Sequence, residues 1–189
     1  MKKEHDYIFQ VVARLESAEI PYMLVGSHAC AIHGEPRGTS DTDFVIDPTR
    51  SQLDVFLELF KEHEYVSVDA AHDALQQRGM FNAIDTLAGW KVDLICRKGD
   101  DFAKTEFERR ATEEYLGSPI VAATAEDVIL SKLMWAKKAD SDRQVRDVAG
   151  VVRVSRERLD RDYLARWAKE LDVESLLANV LREVDQGNG

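Results

Sequence analysis

The sequence predicts an α/β (α+β) protein: a mixed sheet flanked by helices, followed by a C-terminal helical region. Three observations carry this expectation. Short apolar runs such as Ile20–Val25 and Trp90–Ile95, set off by Gly, Pro and Asp clusters, recur through the first part of the chain. Between them lie segments whose apolar residues fall at i, i+3, i+4 and i+7. Beyond residue 124 the strand signals stop and helical patterns follow one another. That shift divides the 189 residues into an α/β unit over 1–123 and a helical region over 124–189 that packs on it.

Residues 5–18 place Ile8, Val11, Val12 and Leu15 on one helical face. Ile20–Val25 reads as a buried strand, stopped by Gly26-Ser27, after which His28–His33 resumes helical composition. Gly34, Pro36 and Gly38 mark a loop that runs to Ser40. Asp41–Asp47 is a second strand, ended by Pro48, and Leu53, Phe56, Leu57 and Phe60 give a helix over 50–62. The stretch from Tyr65 to Asp85 yields only a strand at Met80–Ile84, and Trp90–Ile95 alternates as another. A charged helix over 100–112 and a short strand at 119–123 come next. Thr124 has the character of an N-cap for a helix over 125–138, and helices follow at 143–154, 160–170 and 173–185.

Composition excludes several classes. With 44% apolar and 32% charged residues the chain can form a packed core. No apolar run is long enough to span a bilayer, and the charged start Met1–Asp6 leads into no secretory signal, so a cytoplasmic location is expected. Cys30 and Cys96 lie far apart in apolar stretches without a Cys/His cluster, as buried hydrophobes do. The formal net charge of −10 argues against general nucleic-acid binding, while leaving a specific nucleic-acid acceptor open.

The chemistry concentrates in three segments. Asp41 and Asp43 stand two residues apart on a strand, so their side chains share a face. Two like charges so placed call for a cation, and Mg²⁺ prefers such hard oxygen ligands. Asp93 is a third carboxylate, flanked by Val92 and Leu94, and needs a partner too. Gly26-Ser27 supplies the complement: a glycine that lets backbone approach a phosphate, a hydroxyl, and a helix N-terminus. Triphosphate at the Gly-Ser corner and divalent metal on the aspartates together describe phosphoryl or nucleotidyl transfer.

These residues resemble a known family. Gly26-Ser27, then thirteen residues, then Asp41-x-Asp43, with Asp93 on a later strand, is similar to the polymerase-β-type nucleotidyltransferase pattern. The string His33-Gly34-x-x-Arg37-x-Thr39-x-Asp41-x-Asp43 resembles its minimal bacterial members: AbiEii-like toxins and the aminoglycoside and lincosamide nucleotidyltransferases. Glu126-Asp127-x-x-x-x-Lys132-Leu133, with Arg143 and Arg146-Asp147 beyond, resembles the AbiEii-like group. The likeness covers about residues 20–150.

The resemblance implies a nucleotidyltransferase fold and a metal-dependent enzyme that moves an NMP from an NTP to an acceptor hydroxyl, releasing pyrophosphate. It implies Asp41, Asp43 and Asp93 as ligands of Mg²⁺ or Mn²⁺, with Asp93 also helping to accept the hydroxyl proton. Gly26, Ser27 and Lys132 would hold the triphosphate, and Asp147 would orient Lys132. Arg37 would either contact phosphate or pair with a carboxylate, and Thr39 would touch the nucleotide or shape the loop. On spacing alone, Lys132 also reads as an exposed helix lysine. His28 and His33 read as packed or solvent-facing rather than metal-bound, and Trp90, Trp135 and Trp167 as core. The acceptor stays open among tRNA, protein and a small molecule, and an antitoxin partner is implied by the toxin-like match. A different class, a non-catalytic nucleotide-binding or regulatory partner in a toxin–antitoxin pair, has the same motifs without turnover.

Overall fold

The computed structural model describes residues 4–36, 38 and 41–186. Arg37 and Thr39, both expected near the nucleotide, lie outside the described residues. The chain opens with α1 (Glu4–Ser17), β1 (Tyr22–Val25), α2 (Gly26–His33), β2 (Thr42–Ile46) and α3 (Arg50–Glu58). It continues through β3 (Glu64–Val66), α4 (Val68–Gln77), β4 (Met80–Asp85), β5 (Trp90–Cys96), α5 (Asp101–Arg109), β6 (Ala111–Tyr115) and β7 (Ser118–Ala122). Four helices finish it: α6 (Ala125–Ala139), α7 (Asp142–Ser155), α8 (Arg161–Glu170) and α9 (Glu174–Gln186).

The strands form one mixed sheet in the order β3-β4-β5-β2-β1-β7-β6. Its centre is set by β2, which runs antiparallel to β1 and parallel to β5. Alternation then sorts the side chains. Leu24, Phe44, Ile46, Phe81, Ala83, Val92 and Leu94 enter one core with α1, α3 and α4. Met23 and Val45 face the other way, into a core built with α2 and α5–α9. The C-terminal helices thus share one apolar cluster with α2 and β2. Asp43 and Asp93 have the parity of Val45 and Ile95, so they point to the side that α2 and α6–α9 cover.

Several expectations are revised by the fold. Helix α2 begins at Gly26 itself, so the Gly-Ser pair is the helix's first turn rather than a turn before it. The stretch after Tyr65 holds β3 and an unforeseen helix, α4, capped by the Ser67 side chain accepting from the Ala70 N–H. The expected helix over 100–112 stops at Arg109, and β6 follows. Thr124 does cap α6, its side chain accepting from the Asp127 N–H. Both cysteines are buried thiols that form no disulfide among the described residues. Trp167 is buried, but Trp135 is 58% exposed, with the Lys138 ammonium 5.3 Å from its ring centroid, so it is not a core residue. Among the described residues no helix is long and apolar enough to cross a membrane.

Candidate active site

Register brings the acidic residues together. Asp43 on β2 is the direct Cα partner of Val25 on β1 and of Asp93 on β5. Asp41 lies one residue before β2, two before Asp43. The corner between β1 and α2 completes the arrangement. Gly26 has φ +65°, a left-handed conformation that glycine adopts without penalty. A Cβ on Gly26 would stand 2.3 Å from the Asp43 Oδ2, so only glycine leaves room for that carboxylate. Ser27 follows as the second residue of α2, and Val25 at the N-cap gives the helix no side-chain cap. The start of α2 therefore lies beside the Asp43 carboxylate.

The electrostatics of this corner are unbalanced. Burial first, then the charges of Asp93 and Asp41, push the Asp43 carboxyl up to about 6; Lys91 and Lys132 oppose the shift. Asp93 is buried and doubly held. Asn82 on β4 donates to its Oδ1, and the Lys91 ammonium lies 3.0 Å from its Oδ2. Lys91 also lies 3.7 Å from Asp41 Oδ1, between the two carboxylates. Among the described residues no three His, Cys, Asp or Glu side chains are grouped tightly enough, as they stand, to hold a metal ion.

Lys132 reaches the same side from α6. It is 5% exposed, which removes the reading of it as an exposed helix lysine. Its ammonium donates to Asp147 Oδ2 at 2.8 Å and to Gln144 Oε1 at 3.0 Å, both on α7. Asp147 also lines a cleft of about 600 Å³ between α7 and the loop after α2, with Glu35, Pro36, Arg143, Arg146 and Arg153. The other candidate residues have structural surroundings. His33 Nε2 meets the Ala123 carbonyl at 2.7 Å, and His28 Nδ1 pairs with the Tyr115 hydroxyl. Burial lowers the His28 pKa.

Sequence reasoning missed Lys91, Asn82 and Gln144. Period-two alternation along Trp90-Lys91-Val92-Asp93 carried the signal for Lys91, since it must share the Asp93 face. Gln144 had none, because it meets Lys132 only through the packing of α7 on α6.

No protein-family model matches the chain, and no curated protein is detectably similar to it in sequence. Solved structures are similar in shape. A nucleotidyltransferase-like antigenic protein from Paracoccidioides brasiliensis superposes with a TM-score of 0.59 at 16% identity, covering 92% of this chain and 85% of that one. The antibiotic-resistance factor ANT(2'')-Ia gives 0.55 at 12% identity, covering 96% and 94%. The lincosamide antibiotic adenylyltransferase LnuA, solved with lincomycin bound, gives 0.51 at 15% identity, covering 80% and 96%. The seven-stranded mixed sheet with its flanking helices is the nucleotidyltransferase fold.

Proposed function

We propose that the chain is a cytoplasmic, metal-dependent nucleotidyltransferase that transfers an NMP from an NTP to an acceptor hydroxyl and releases pyrophosphate. The observation that carries this reading is the register of Asp43 against Asp93 beside a glycine whose missing Cβ makes room for the Asp43 carboxylate. The donor chemistry fits Mg²⁺ or Mn²⁺. Asp43 receives no hydrogen bond among the described residues, and its carboxyl is pushed up by two neighbouring negative charges, a strain that a hard cation relieves. Asp41, Asp43 and Asp93 would hold it, their side chains closing around the ion. When bound, the ion supplies positive charge to the attacking and leaving oxygens of an in-line displacement.

The remaining roles belong to the chain itself. The N–H groups opening α2 and the Ser27 hydroxyl hold the β- and γ-phosphates. Lys132, kept in place by Asp147 and Gln144, donates to the triphosphate. Asp93 accepts the proton of the acceptor hydroxyl as that oxygen attacks the α-phosphorus. The AbiEii-like resemblance supports a toxin-type acceptor, a tRNA or protein hydroxyl, with an antitoxin as partner. A small-molecule acceptor is the second reading. It is favoured by the likeness to ANT(2'')-Ia, a structure of which holds adenylyl-2''-tobramycin, and to LnuA with lincomycin.

The test is label transfer. Each α-³²P-labelled NTP is incubated with Mg²⁺ and, separately, bulk tRNA, cell protein, tobramycin or lincomycin, using the native chain and Asp43→Ala. Label on one acceptor, lost in the variant, is the expected result and names the acceptor. No transfer to any acceptor and no NTP-dependent thermal shift defeats the enzyme reading in favour of a regulatory partner.

A further inference from the structure

The candidate site brings its own cation. Lys132 is committed to Asp147 and Gln144. Lys91 is not so committed: its ammonium lies 3.0 Å from Asp93 Oδ2 and 3.7 Å from Asp41 Oδ1, so it bridges two of the three residues read as metal ligands. Its placement follows from β5, where Lys91 and Asp93 occupy one face two residues apart. Asp93 offers no cheap alternative, since Asn82 holds its other oxygen and its side chain is only 9% exposed. Lys91 is 38% exposed and ends a flexible four-carbon stem, so its ammonium has a short route to water.

We propose that Lys91 is a tethered counter-ion that holds the Asp41–Asp93 side of the pocket in the ligand-free protein and must leave when a divalent ion enters. The inference rests on reading the three aspartates as metal ligands. Two cations on the same carboxylate oxygens repel, and a divalent ion outcompetes an ammonium that solvent can rehydrate. Metal loading is then an exchange: the ammonium swings outward as the carboxylates close inward. The apo protein keeps the Asp41–Asp93 side of the pocket partly neutralised, and the resting affinity for metal is set partly by the strength of the Lys91 contacts.

The test needs no nucleotide and no turnover. Mn²⁺ is titrated into the native chain, Lys91→Met, Lys91→Gln, Lys91→Arg and Asp43→Asn, with free Mn²⁺ read by electron paramagnetic resonance. The expected result is a Kd about two- to fivefold tighter in Lys91→Met and Lys91→Gln, the range that loss of a competing, partly exposed ion pair allows, with native affinity in Lys91→Arg. In chelator, Lys91→Met should melt below the native chain, and saturating Mn²⁺ should close that gap. Native or weaker binding by both neutral variants, with Asp43→Asn binding none, overturns the counter-ion role and leaves the metal reading standing. No saturable Mn²⁺ binding by any form overturns both together.

Discussion

Two groups of acidic residues lie on the side of the sheet that α2 and α5–α9 cover, and they are treated in opposite ways. At the start of α6, Asp127 is fully buried and saturated with donors: Tyr163 Oη at 2.6 Å, Thr124 Oγ1 at 2.7 Å and Arg109 Nε at 3.2 Å. Its neighbour Glu126 accepts from Arg109 Nη2 at 3.1 Å and from the Asp160 N–H at 2.9 Å. Arg109 is itself stacked 3.8 Å from the Tyr163 ring centroid. This group ties α5, α6 and α8 together with every carboxylate oxygen accepting a hydrogen bond. At the β1–α2 corner, by contrast, Asp43 has two carboxylates for neighbours and receives no hydrogen bond among the described residues. A satisfied buried acid is a fastener, while an unsatisfied one keeps its lone pairs for something that arrives later. Glu126-Asp127 and Asp41-x-Asp43 are both paired acids in the chain, one opening a helix and one at the start of a strand, and their donors set them furthest apart.

The sharpest way to break this contrast is to neutralise Asp43. Asp43→Asn should lower label transfer by about three orders of magnitude, as loss of a metal-bearing group does. The same variant should melt higher than the native chain in chelator at neutral pH. Because the folded carboxyl titrates near 6 against an ordinary 3.8, the folded state binds the extra proton between those values. Native stability should therefore fall as pH rises from about 4 through 6 and stay lower above it, by about 1–2 kcal/mol after allowance for solvent screening. Asp43→Asn should flatten that slope, which a pH series of urea titrations would reveal. An unchanged slope would mean the corner is as satisfied as the α6 cluster.

Asp127→Ala should behave inversely. It strands the Thr124 and Tyr163 hydroxyls and leaves Arg109 with Glu126 alone, at a cost of about 3 kcal/mol in urea unfolding, while transfer per folded molecule persists. Gly26→Ala tests the corner sterically. Its Cβ collides with Asp43 Oδ2 in a positive-φ residue, so transfer should drop about a hundredfold with about 1–2 kcal/mol of destabilisation. The smallest effect is expected from Asp147→Asn, which weakens the hold on Lys132. It should raise KM for NTP about tenfold with kcat less affected, measured by steady-state transfer.

How much of this was legible in the chain depends on the range of the interaction. The β1–glycine–α2 corner and the acidic strands follow from local pattern, since one residue type or one period-two alternation identifies each. Helix α4 was hidden because its buried face is made by Ala71 and Ala74, too small to write an apolar stripe. Strand β6 was hidden because Ala-Thr-Glu-Glu-Tyr is polar at a sheet edge and is reversed through Leu116-Gly117, both at positive φ, without the usual Asn-Gly signal. Thr124 was readable locally as the cap beside Asp127, but the other donors on that acid come from residues 109 and 163, which no local rule brings to it. Lys91 was readable from alternation alone, but a lysine beside an aspartate on a strand looks like an ordinary surface pair.

The parallel pairing of β2 with β5 has a consequence for when this protein becomes competent. Asp43 and Asp93 are fifty positions apart, and their alignment exists only after α3, β3, α4 and β4 have been made and the crossover has closed. A chain still emerging past β2 carries Asp41 and Asp43 as a solvated pair without Asp93 beside them. The charged pocket is therefore born whole with the finished sheet, and a half-synthesised copy lacks it.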